Sequence, residues 1–106
     1  MKNVSGRDTT EEEIDLLLAA IQAVYRQIYV GKSMLPEREF VDCVLVGDNY
    51  FGTLEDRNTF FRYQKAVESL CAKGWAKHQF SHSTGKTYKL TGVGEEVAKN
   101  LQGTPQ

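Results

Sequence analysis

Six apolar residues, Ile14, Leu17, Leu18, Ile21, Tyr25 and Ile28, recur at helical spacing and form one stripe. The stripe predicts a long first helix over residues 10–30. Thr10-Glu11-Glu12-Glu13 stands at its start and has the capping-box form, in which the threonine hydroxyl and the Glu13 carboxylate satisfy free backbone groups. Three acids in the first turn also suit the positive end of the helix dipole. Gly31 supplies a stop. Lys32-Ser33-Met34-Leu35 then reads as a short strand or an extended link. Pro36 fits the first position of a second helix, where its missing N–H does no harm. That helix carries Phe40, Val41, Val44 and Leu45 inward and ends near Gly47.

Residues 47–57 read as a turn with two glycines, in which Tyr50 and Phe51 plug the gap between helices. A third helix is predicted from Thr59 to Lys73, capped by Asn58 and closed by Gly74. After Gly74 the period changes. Trp75–Phe80 and Thr87–Leu90 read as two short strands, joined by the polar hairpin loop Ser81-His82-Ser83-Thr84-Gly85-Lys86. Thr91 caps a last helix carrying Val93, Val97, Ala98 and Leu101. The predicted class is α+β, mostly α: three helices, a two-stranded β-wing and a C-terminal helix. Residues 1–9 read as a flexible lead, 10–102 as one domain and 103–106 as a loose end.

Two stretches carry a resemblance. Ala66-Val67-Glu68-Ser69-Leu70-Cys71-Ala72-Lys73-Gly74-Trp75 resembles the end of a winged-helix recognition helix, and Thr87-Tyr88-Lys89-Leu90-Thr91-Gly92-Val93-Gly94 resembles the segment after the wing. Over about residues 35–102 the chain is similar to the winged helix-turn-helix superfamily of prokaryotic transcription regulators. The resemblance implies a DNA-binding winged helix and a role in transcription regulation. The turn at 47–57 is longer than the compact form of that superfamily.

The charge distribution points the same way. The net charge is −1, yet residues 1–56 hold five bases against eleven acids, and residues 57–89 hold seven bases against Glu68 alone. A near-neutral chain with one basic segment can still present a local positive field. On a helical projection Asn58, Arg62, Lys65 and Ser69 fall opposite the apolar side of helix 59–73, with Lys73 at the edge. Their amide, guanidinium, ammonium and hydroxyl groups suit base edges in a major groove or phosphates. Arg62 suits guanine, through two parallel hydrogen bonds. The wing 81–86 adds His82, Ser83 and Lys86, flanked by Lys77 and Lys89, for the backbone of double-stranded DNA. A homodimer through helix 10–30 and the C-terminal helix would match a palindromic site. The alternative is a winged-helix module that contacts only protein in a larger assembly.

Other classes draw little support. No apolar run reaches the roughly 18 residues that span a bilayer, and a cytoplasmic place is expected. Cys43 and Cys71 are too few for a disulfide framework and read as small buried residues. His78 and His82 have zinc-finger spacing, but the two cysteines are not a close pair, so no metal or other cofactor is expected. No phosphate loop, nucleophile elbow or carboxylate cluster marks an enzyme.

Overall fold

The capping box at Thr10 forms as its residue types dictate. In the computed structural model, which describes residues 9–34, 40–53 and 56–103, the Thr10 N–H donates to Glu13 Oε1 at 2.8 Å and the Glu13 N–H donates to Thr10 Oγ1 at 3.2 Å. Helix α1 (Glu11–Gln22) starts there but stops well short of Gly31. The Ala23 N–H closes it on the carbonyls of Ala19 and Ala20. Arg26 then takes φ +55°, the left-handed region, and reverses the chain. Its Nη1 donates to the Ala23 carbonyl at 3.0 Å.

Beyond this reversal the chain departs from the winged-helix expectation. Strands β1 (Gln27–Met34), β2 (Phe40–Val46) and β3 (Asn49–Thr53) occupy the segment predicted as the end of one helix, a second helix and a turn. After helix α2 (Arg57–Ala72) come β4 (Ala76–Ser81), β5 (Gly85–Leu90) and helix α3 (Gly92–Gly103). The described residues thus hold three helices and one five-stranded antiparallel sheet, ordered β3-β2-β1-β5-β4. This is an α+β fold and not a helical domain with a two-stranded wing. The physical reason lies in residue type. Ile28-Tyr29-Val30 and Val44-Leu45-Val46 are β-branched or aromatic apart from Leu45, and such side chains pack well on a pleated sheet. A short apolar run satisfies a helical stripe and a buried strand equally, and pairing on both sides of β1 and β2 decided between them. Gly47, at φ +59°, makes the β2–β3 turn. Leu35 of the predicted link, the predicted helix start at Pro36, the lead over 1–8 and the end over 104–106 lie outside the described residues.

Register sorts the strand residues into two faces. Ile28, Val44, Val46, Ala76 and Leu90 lie on the inner face and pack with Leu16, Leu17, Ala20 and Ile21 of α1, Phe60, Ala66, Val67 and Leu70 of α2, and Ala98 of α3. Burial of each large member stabilises the fold by about 1.5–3 kcal/mol. The apolar side of α1 is thereby used inside the chain, and the helix predicted over 10–30 ends at Gln22. Gly94 lets α3 approach closely: a Cβ there would lie 1.8 Å from the Trp75 carbonyl oxygen.

Candidate nucleic-acid interface

Helix α2 is capped by Asp56, whose Oδ2 accepts from the Thr59 hydroxyl at 2.7 Å, and not by Asn58, which is exposed in the first turn. Its polar side meets the acidic start of α1. Arg62 donates through Nε and Nη2 to Glu12 Oε2 at 2.8 and 2.6 Å. That hydrogen bond holds the Glu12 carboxyl below its ordinary range. Lys73 Nζ lies 3.1 Å from Glu13 Oε1 and 4.8 Å from the centre of the Trp75 ring. Burial pushes the Glu13 carboxyl up, and Ser69, the Thr10 backbone and Lys73 together outweigh it, so the net direction is down. Tyr63 donates to Asp15 Oδ2 at 2.7 Å, and its hydroxyl is pushed up to about 12 by burial first and that hydrogen bond second. Three residues predicted to meet DNA, Arg62, Ser69 and Lys73, are therefore directed at carboxylates of the same chain. Lys65 is exposed beside them.

The hairpin residues separate. Lys86 opposes Val30 and Ser81, on the side of the sheet that carries the helices, and faces a groove shared with Arg57, Phe61, Glu68 and Asp42. His82 and Ser83 are exposed at the tip. Lys77 and Lys89 oppose each other on the outer face, away from α2. The ten predicted residues do not form one footprint.

The outer face has its own organisation. Lys77, Lys89 and Gln27 form one row across β4, β5 and β1. Phe80, Thr87, Tyr29, Leu45 and Tyr50 form the next, running across all five strands. A bulge between His78 and Phe80 puts Phe80 into this row. Gln79 accepts through Oε1 from Gln27 Nε2 at 2.6 Å. The His82 ring lies 6.4 Å from Tyr29 and 6.1 Å from Phe80, and its Nε2 is 3.0 Å from the Thr87 hydroxyl. The Tyr29 hydroxyl reaches over Gly31 and Gly85 to donate to the Lys32 carbonyl at 2.6 Å. A Cβ at Gly85 would stand 3.1 Å from that hydroxyl and 2.4 Å from the Val30 carbonyl, so only glycine leaves room. Asp42 is the one acid among the described strand residues, and it faces inward, paired with Lys32 at 3.4 Å.

Family models, curated proteins and solved structures were compared with the chain, and none matches.

Among the described residues no three histidine, cysteine or acidic side chains converge on a metal position. His78 turns to the inner face, 5.8 Å from the Tyr88 ring, while His82 turns to the outer one. No described helix is long and apolar enough to cross a membrane. Sequence reasoning missed Gln27, Tyr29, Gln79 and Phe80 as members of a face. The alternation Gln27-Ile28-Tyr29-Val30 was the available signal, and the helical stripe ending at Ile28 masked it.

Proposed function

We propose that this chain binds nucleic acid, and that it holds a single strand on the outer face of its sheet. One observation carries the reading. Lys77 and Lys89 stand directly opposite each other, make no ion pair among the described residues, and lie on the side of the sheet to which no described strand residue adds an acid. Like charges in that arrangement destabilise a sheet, and an anion laid across them removes the cost. The adjoining rings of Tyr29, Phe80 and His82 offer what bases need, since single strands combine a basic track with aromatic stacking. A duplex read through α2 draws less support, because Glu12 and Glu13 already neutralise Arg62 and Lys73 and would repel phosphates.

Fluorescence anisotropy of a labelled mixed-sequence strand, alone and as a duplex, over a salt series tests this. The strand binds more tightly than the duplex. Replacing both lysines by alanine lowers the salt slope by about 1.4, from roughly 0.7 per phosphate contact. Tighter duplex binding that Arg62→Ala abolishes would return the interface to α2. Loss of every nucleic-acid signal would leave the exposed rings to a protein partner.

A further inference from the structure

Beside the lysine row, the outer face dips into a depression of about 650 Å³ between the end of α1, β1 and the β2–β3 turn. Tyr25, Gln27, Tyr29, Asp48, Asn49 and Thr87 are among its walls. Tyr25 is 71% exposed and the preceding Val24 82% exposed, a large apolar display for a short turn. Arg26, which follows, is the one described non-glycine residue with positive φ. Such backbone strain persists where surrounding structure over-determines it, and it concentrates at ligand sites.

Two side chains of the depression, Gln27 and Asp48, supply acceptors to it. Gln27 is held by one N–H of its Nε2, which donates to Gln79, and it keeps Oε1 as an acceptor. Asp48 is exposed, makes no ion pair among the described residues and offers two more acceptor oxygens. Asp48 lies at the β2–β3 turn, whereas Lys77 and Lys89 lie at the opposite side of the sheet. This polarity favours phosphates on β4 and β5 and excludes them from the depression.

We propose that the depression is a nucleobase pocket, in which Tyr25 stacks on a base and Asp48 and Gln27 accept from its exocyclic amine. The proposal rests on the sheet-face reading above and adds a preference to it. Adenine and cytosine present an amine donor. Thymine and uracil present a carbonyl oxygen at that place and only the neighbouring ring N3–H as a donor, so they offer Asp48 and Gln27 one proton where the amine offers two.

The test uses labelled homopolymer strands of about 12 nucleotides and the full chain at low salt. All-adenine and all-cytosine strands bind about tenfold more tightly than all-thymine. Asp48→Asn closes that gap without weakening the all-thymine strand, and Tyr25→Ala weakens all three, with circular dichroism unchanged in both. Adenosine monophosphate competing as well as the strand at equal base concentration supports the pocket and makes a free nucleotide its ligand. Equal binding of the three strands with a salt slope that still depends on Lys77 and Lys89 overturns the pocket and spares the sheet face. Binding of none of them overturns both.

Discussion

The Lys73 ammonium, at the end of α2, lies 3.1 Å from the carboxylate of Glu13, which is 1% exposed in the first turn of α1. The contact joins two helix ends sixty residues apart, and it turns a predicted DNA contact into a part of the fold. Removing one partner of a buried pair leaves the other charge uncompensated. Lys73→Ala is therefore expected to lower stability by about 2 kcal/mol, read from urea unfolding. An unchanged midpoint would show that water replaces the ammonium freely.

Glu13 also sets an acid limit. Its folded carboxyl titrates below the ordinary 4.5, so the native state favours the ionised form. Its stabilisation is fully present above that ordinary value and is lost as pH falls through the lower folded one. Glu13→Gln is expected to be less stable at neutral pH and to lose less than the native chain on acidification. Parallel stability curves for the two proteins would refute the linkage.

Function and stability should oppose each other at Lys77. In the free protein it faces Lys89 across two strands, and Lys77→Glu replaces a repulsion with an attraction. We expect a gain of about 0.5 kcal/mol in stability together with weaker strand binding. Thermal unfolding and anisotropy on one preparation check both signs.

Gly94→Ala places a methyl group where the Trp75 carbonyl already stands. α3 must then lift from the α2–β4 junction, at a cost of about 3 kcal/mol. Hydrogen exchange in α3 is expected to rise first, because Ala98 is buried under that helix. Exchange that rises uniformly over the chain would argue against a local lift.

Arg62→Ala separates the two interfaces. Its guanidinium is exposed and engaged with Glu12, and an exposed ion pair contributes little to stability. Strand affinity is expected to stay within about twofold. A large loss, with altered preference at one base position, would restore the major-groove role.

Local physics was legible where one short segment contained the whole cause. Thr10 and Glu13 cap α1, Gly74 follows the Lys73 cap of α2, and Thr91 accepts from the Gly94 N–H at 3.0 Å at the start of α3. Each depends on groups within a few residues. The apolar side of α2 and the β4–β5 hairpin came from residue periods of the same short range. Residues 25–46 were different. Ile28, Val44 and Leu45 satisfy a helical stripe, and only partners such as Tyr88 of Ile28 and Val30 of Val44 make them strand. Those partners are distant in sequence, so tertiary pairing overrode the local pattern. The same distance hid the outer face of the sheet. That Arg62 points at Glu12, and that Lys77 meets Lys89 beside Tyr29, results from how helices and strands stack, which residue order does not encode in any single window.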